Sequence, residues 1–438
     1  MSKDRKGGGK MVSRRQFLVM VGGAAASALL AGCATQQPAK PTPTATPAGT
    51  ATPQAAKKFV IPALFDLSGP TSGVGVPYSE GAKNCAKWIN DKEGGIPGVG
   101  QIDLIGTDYG YKVPEAVSVY NRYKSQYNPA VIVGWGTGDT EALSKEVAKD
   151  KIVYISASYS SHLDDPSQTP YNFYPIASYS DQARAAVYWM KKWWEKEGEN
   201  RSPRIVCAYD FNSAYARAPI KAVKDLAKDL GFEIGNDQNV GLRATDTSSQ
   251  VLAIKDFGAD FVWFGNTVGS GAVIAKDMKK FEVGAILVMN QWGHDENLIK
   301  LAGEGAENVH GATGHYYWGF ENEAPGLKTL RKSIEDYGPE EFPASPFIRG
   351  WLNVRTAALA LADTKSKFGQ ITGENVKKAM ETWKDKEIED GISPPVTYTS
   401  TDHRPTTKTL ILKIENGKYK MASNGWVEIE RKPEWLGW

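Results

Sequence analysis

The residues best placed to do chemistry lie in short glycine- and hydroxyl-rich segments that follow apolar runs. The clearest is "AVIVGWGTGDTEALSKEVAKD" (130–150), where an apolar run ends in Gly134, Gly136 and Gly138 and a helical pattern begins near Thr140. Glycines let a backbone approach a ligand closely. A helix start offers unpaired N–H groups and the positive end of the helix dipole, so the turn is a ready anion site. Three occupants can be weighed: a phosphate, a carboxylate, or nothing beyond an Asp or Thr cap. A phosphate loop needs Gly-Lys-Ser/Thr entering the helix, and here Gly138 is followed by Asp139-Thr140. A dinucleotide fingerprint wants its third glycine where Asp139 stands, and that carboxylate would repel phosphate. A carboxylate needs only two or three donors. Thr137 Oγ and the nearby N–H groups can supply them, each charge-assisted bond contributing about 1.5–3 kcal/mol. The plain capped turn stays open beside it.

Four more segments share the character of this turn: "SGPTSG" (68–73), "SASYSS" (156–161), "FNSAY" (211–215) and "GNTVGSG" (265–271). Each follows an apolar run, and the elements around them explain why. "KFVIPALFDL", "QIDLIGTDY", "AVIVGW", "IVYISAS", "RIVCAYD", a stretch near 232–241, "DFVWFGN" and "AILVMNQ" read as strands. Helical runs alternate with them, including "PYSEGAKNCAKWINDKEGG" with Pro77 at its start and Gly94 at its end, and "VPEAVSVYNRYKSQ" with Pro114 in its first turn. Strands alternating with helices predict an α/β fold of parallel sheets with helices on both faces. In such sheets ligands sit beyond the carboxyl ends of the strands, where these five segments fall.

The chain has 438 residues, enough for two domains. Its net charge of +2 offers no basic surplus for nucleic acid. Cys33, Cys85 and Cys207 form no C-x-x-C, and the five histidines form no H-E-x-x-H, so neither a zinc site nor any other cofactor is expected. Cys85 and Cys207 sit in helical and strand patterns and read as buried thiols. No G-x-S-x-G elbow occurs, and no histidine is spaced to serve a nucleophile. A binding protein is therefore expected rather than an enzyme, with an exported hydrolase as the rival.

Residues 1–33 read as an export signal. Lys3, Arg5, Lys6 and Lys10 precede "SRRQFLVM" and a short small-sided apolar run. The Arg14–Arg15 pair resembles a twin-arginine address, with an ordinary secretory signal as the alternative. "LAGC" matches the lipobox of bacterial lipoproteins, which makes Cys33 the expected lipidation site. The following Pro-, Thr- and Ala-rich stretch (34–58) cannot bury enough apolar surface to offset chain entropy and reads as a disordered tether.

Three segments together carry a resemblance. "LFDLSGPTSGVGVPYSEGAKNCAKWINDKEGGI", "VIVGWGTGDTEALSKEVAKDKIVYISASYS" and "YDFNSAYARAPIKAVKDLAKDLGFEI" resemble the leucine/isoleucine/valine-type substrate-binding proteins of ABC transporters, over about 59–420. That family has the type I periplasmic binding fold. The resemblance implies two doubly wound lobes, 59–178 with 319–390 and 179–318 with 391–438, closing on ligand by hinge motion. It also implies a monomer working with a membrane permease and ATPase complex. A sensor feeding a membrane receptor is the second reading.

Carried over by position, the resemblance places Thr137 and Gly138 on the ligand carboxylate, with Tyr159 and Ser160 completing the clamp. Tyr215 matches a tyrosine that closes on ligand from the second lobe. Thr267 stands where the family has a second tyrosine, and Gln291 where it has the glutamate that holds the ligand ammonium. Losing one partner of a buried ion pair costs about 3–5 kcal/mol. A zwitterion should therefore bind poorly unless Asp108, Asp139 or Asp210 substitutes. Tyr78, Trp135, Tyr159, Trp292 and Trp318 are candidates to stack on a ring or line an apolar slot, with core packing as the alternative. The expected ligand is a small carboxylate or amide, with aromatic and amino-acid-like acids included.

Overall fold

The computed structural model describes residues 58–320 and 324–438. The export signal with Cys33 and the tether up to residue 57 lie outside the described residues, while Lys58, taken above as the tether's last residue, begins the first strand. Among the described residues, no helix is long and apolar enough to cross a membrane.

The chain runs β1 (Lys58–Phe65), α1 (Ser72–Lys92), β2 (Gln101–Asp108), α2 (Val113–Tyr127), β3 (Val131–Val133), α3 (Thr137–Asp150), β4 (Val153–Ile155) and β5 (Asn172–Phe173). Then follow α4 (Tyr179–Glu197), β6 (Arg204–Tyr209), α5 (Ala214–Arg217), α6 (Ile220–Asp229), β7 (Glu233–Ile234), β8 (Gln238–Asn239), α7 (Ser248–Phe257), β9 (Phe261–Gly265), α8 (Val268–Lys280), β10 (Ile286–Asn290), α9 (Glu296–Ala302) and β11 (His310–Thr313). Three helices come next, α10 (Pro325–Tyr337), α11 (Pro346–Phe368) and α12 (Gly373–Met380). The chain closes with β12 (Lys408–Glu415), β13 (Lys418–Met421) and β14 (Val427–Glu428).

These strands form two sheets. The first is parallel throughout, in the order β2-β1-β3-β4-β5. The second runs β13-β12-β11-β10-β9-β6-β7, with β14 on β12 and β8 on β6, and it is parallel from β7 to β11. Helices cover both faces, so β3, β4 and β9 are buried along their whole length and read as unbroken apolar runs. Both sheets have a switch point where the strand order reverses. In the first it lies between β1 and β3, in the second between β6 and β9. The chain passes between the sheets three times: after β5, after β11 and after α12.

Local details differ from the sequence reading in instructive ways. Pro77 lies inside α1, which starts at Ser72. The carbonyl deprived of a donor there is that of Gly73, four residues earlier, which is exposed and left to solvent. Gly94 does end the helix region, with φ +76. The stretch 232–241 is two short strands rather than one, β7 beside the start of β6 and β8 beside its end. Cys85 and Cys207 are buried free thiols.

The tightest packing joins α1 to α11. A Cβ on Gly81 would sit 1.9 Å from the Phe347 carbonyl oxygen, and one on Gly350 would sit 1.9 Å from that of Tyr78. Each helix thus uses a glycine where the other's backbone passes, and side chains at the crossing, Tyr78 and Phe347 among them, are fully buried. Because the obstacle is backbone, a Gly350→Ala chain must spread the helices. We expect a loss of about 3 kcal/mol in urea unfolding, against less than about 0.5 kcal/mol for Gly73→Ala, which meets nothing.

Candidate functional site

The glycine turn after β3 is built as an anion-receiving helix start. Gly136 is the N-cap in extended backbone, φ −80 and ψ 166, and α3 begins at Thr137, three residues earlier than the pattern suggested. Thr137 and Gly138 therefore hold two of the N–H groups that have no acceptor within the helix. A Cβ on Gly136 would meet Asp139 Oδ1 at 2.3 Å and the Tyr111 ring at 2.5 Å, so only glycine lets the turn lie so low. Tyr111 itself holds φ +59, a conformation that is uncommon for a bulky residue and that places its ring beneath the turn.

Asp139, the third residue of the helix, faces inward and closes the helix start from beneath. It is buried, accepts the Tyr109 hydroxyl at 2.7 Å and takes the N–H groups of Gly136 and its own residue. Its Oδ2 has no partner. Burial pushes its pKa up to about 7, against the opposing pull of those hydrogen bonds. The Thr137 hydroxyl accepts a hydrogen from Ser158 Oγ at 2.8 Å, which leaves its own hydrogen for Tyr179 Oη or a ligand oxygen.

This turn opens on a cavity of about 270 Å³, open space at its mouth included. From the first sheet come Thr71, Val74, Tyr111, Trp135, Gly136, Thr137 and Ala157; from the second side come Tyr179, Tyr215, Thr267 and Trp292. Thr71 and Trp135 follow β1 and β3, the two strands of the first switch point. Tyr215 and Thr267 follow β6 and β9, the two of the second. The walls are aromatic and tied together. Trp135 and Trp292 meet edge to face with centroids 5.2 Å apart, and Tyr179 meets Tyr215 at 5.3 Å. Trp135 Nε1 donates to Thr71 Oγ1 at 3.0 Å, and Trp292 Nε1 donates to Tyr179 Oη at 2.8 Å. Thr267 is the N-cap of α8 with no side-chain capping bond, so a second helix start faces the cavity. Among the described residues, no charged side chain lines it.

Of the residues singled out from sequence, Trp135, Gly136, Thr137, Tyr215, Thr267 and Trp292 line this cavity. Tyr215 is fixed there, its hydroxyl donating to Asn266 O at 3.0 Å and Asn290 Oδ1 at 2.7 Å. Gly138 turns its α-carbon toward Val113 and can offer only its N–H. Tyr78 stands behind Trp135 at 4.8 Å between ring centres, bonded to Gly134 O and Asn353. Tyr159 stands behind Trp292, its ring parallel to that indole at 6.0 Å, while its carbonyl oxygen accepts the Tyr179 N–H at 2.7 Å. Ser160 directs its hydroxyl to Glu141 at 3.4 Å, outside the cavity.

Gln291 does not line the cavity. Its neighbour Trp292 does: the two are the central residues of a turn closed by Gly293 N–H to Asn290 O at 3.0 Å, and their side chains leave that turn in different directions. Asp108 and Asp210 are occupied in loop turns, and Trp318 packs against Phe342 and Phe347. His315 is a buried structural group between Tyr316 O and Arg349. Five wall residues were not singled out from sequence: Thr71, Val74, Tyr111, Ala157 and Tyr179. Thr71 and Tyr111 lie in segments after β1 and β2, where the strand-end rule points. Tyr179 opens α4, and nothing local marks it.

A family model described as periplasmic binding protein matches residues 58–418. An ABC transporter substrate-binding protein from Aeropyrum pernix is 31% identical, with a TM-score of 0.77, covering 86% of this chain and 98% of its own. A branched-chain amino acid ABC transporter protein from Thermus thermophilus with bound valine is 23% identical, TM-score 0.78, with 86% and 98% covered. A fatty acid ABC transporter substrate-binding protein from Thermomonospora curvata is 19% identical, TM-score 0.75, with 85% and 93% covered. No curated protein matches the sequence significantly. A match over most of the chain, two switch points facing one cavity and a nearly full-length relative agree: the chain belongs to the periplasmic binding protein family, among the substrate-binding proteins of ABC transporters.

Proposed function

We propose that the chain is a lipid-anchored receptor of an ABC importer that binds a small carboxylate- or amide-bearing molecule and delivers it to a membrane permease. In this reading the lobes 59–178 with 319–390 and 179–318 with 391–438 close on the ligand, and the lipid on Cys33 with its tether keeps the body near the membrane. One observation carries the ligand class: the α3 start, with Thr137 and two free N–H groups, opens on an aromatic cavity that has no acid in its lining. A carboxylate finds donors there, and an ammonium finds no counter-charge. Asp139 is the nearest candidate, but it is sequestered beneath Gly136 and is held by Tyr109. Five aromatic side chains among the walls suit an apolar or ring-bearing body. The fatty acid and valine relatives show that the fold serves acids of both kinds.

Titration calorimetry should find saturable binding of benzoate-like or short branched acids, with leucine at least about a hundredfold weaker, as expected for an ammonium buried without its partner. Leucine binding as tight as the best simple acid would refute the ligand class. A Thr137→Val chain should bind the same acid about tenfold more weakly, with an unchanged melting temperature as the control.

The pH dependence follows from Asp139. Its folded pKa of about 7 lies above the ordinary value of about 3.9. The stability this group contributes is therefore full below pH 4 and is lost as pH rises through 7. The same ionisation puts a negative charge under the anion site. Acid affinity should fall between pH 6 and pH 8, and Asp139→Asn should flatten both that fall and the loss of melting temperature that accrues between about pH 4 and pH 7.

A further inference from the structure

Behind Trp292 lies a second polar cluster that the cavity does not use. Helix α11 carries Arg349 and Asn353 one turn apart, on the same face. Arg349 is fully buried, with its guanidinium carbon 4.3 Å from the centre of the Trp292 ring. Its Nε donates to His315 Nε2 at 2.9 Å, and its Nη2 donates to Gln291 O at 2.7 Å and Tyr317 Oη at 3.2 Å. All three acceptors are uncharged, and among the described residues no carboxylate lies within ion-pair distance of Arg349. Asp295 and Glu296 lie near enough to feel its charge, but burial raises the pKa of both, and Asp295 Oδ2 has no partner among the described residues. Asp295 caps α9 through the Asn297 N–H at 2.8 Å, and Glu296 holds Ser345 at 2.7 Å.

Arg349 Nη1 has no hydrogen-bond partner. Neither do Gln291 Oε1 and Nε2, Tyr159 Oη or Asn353 Oδ1, all of them buried. These residues are linked by a chain of contacts. Gln291 touches Arg349 through its carbonyl oxygen, Arg349 and Tyr159 both pack on Trp292, and Asn353 bonds to Tyr78, which packs on Trp135. A buried polar atom left unpaired is costly, and a buried cation without a counter-charge more so. Packing alone gives no reason to place four such atoms in the surroundings of a guanidinium whose own Nη1 is unpaired.

We propose that Arg349, Gln291, Tyr159 and Asn353 form a second polar subsite of the cleft, which receives a carboxylate at the far end of the ligand. Arg349 supplies the counter-charge, the Gln291 amide and the Tyr159 hydroxyl supply further donors, and the Trp292 ring is the partition that turns aside. The preferred ligand is then a small dicarboxylate. This inference rests on the reading that the aromatic cavity binds acids.

Calorimetry at pH 7 on the whole chain tests it with succinate, glutarate and adipate, each set against the unbranched monoacid of the same length. The best diacid should bind at least about tenfold more tightly than its monoacid. In Arg349→Gln that ratio should fall towards one. Gln291→Glu, which sets a like charge beside the incoming group, should lower it as well and serves if Arg349→Gln fails to fold in a thermal melt. Equal binding of diacid and monoacid, or a ratio unchanged in a folded variant, overturns the subsite. If monoacids bind in a Thr137-dependent way without diacid preference, only this inference falls. If no acid of either kind binds, the acid-binding reading falls with it.

Discussion

A parallel strand cannot turn straight back. It must pass its chain to a crossover at its carboxyl end, and the crossover helix starts there with unpaired N–H groups. At a switch point two neighbouring strands send their crossovers in opposite directions, which leaves a crevice between them. The site depends on this constraint twice over. The first sheet opens its crevice between β1 and β3, the second between β6 and β9, and the residues that follow those four strands face one cavity. Thr137 at the start of α3 and Thr267 at the N-cap of α8 are the same device used from two sides.

What the crevice then recognises is set by which charges are kept out of it. The walls are rings and hydroxyls held in place by bonds to one another, such as Trp292 to Tyr179 and Trp135 to Thr71. The one acid at the turn is folded under the backbone and rests on Tyr109, where burial favours its neutral form. A low-polarity lining strengthens whatever hydrogen bonds a ligand makes and penalises any charge that finds no partner. On the proposed reading, the glycine turn can receive an anion because Asp139 lies beneath it instead of pointing into it.

The second layer is scaffold. Helix α11 can bring Arg349 and Asn353 up behind the cavity walls only because it crosses α1 at backbone contact, with Gly81 and Gly350 clearing the way. The same crossing fixes Tyr78, which supports both Trp135 and the Gly134 carbonyl. Packing far from the ligand thus determines how low the turn can sit and how close a guanidinium can come to Trp292.

Much of this was legible in the chain alone. Alternating periodicities foretold parallel sheets, and small hydroxyl-bearing segments after the strands marked the face on which a site would form. Thr137 and Thr267 followed from that rule, because a residue's place at a strand end is a local property of the sequence. Side-chain direction was not legible. Gln291 and Trp292 are adjacent in the turn after β10, and the geometry of that turn decides which of them faces the cavity. Arg349 lies more than a hundred residues from both Thr137 and Tyr179, Tyr179 opens a different helix from Thr137, and no local pattern relates them. Sequence by itself determined the element order and the turn chemistry, since both come from neighbouring residues. Only the tertiary structure decided which side chains share the cavity and which charges stay behind its walls, since that depends on where separate sheets and helices meet.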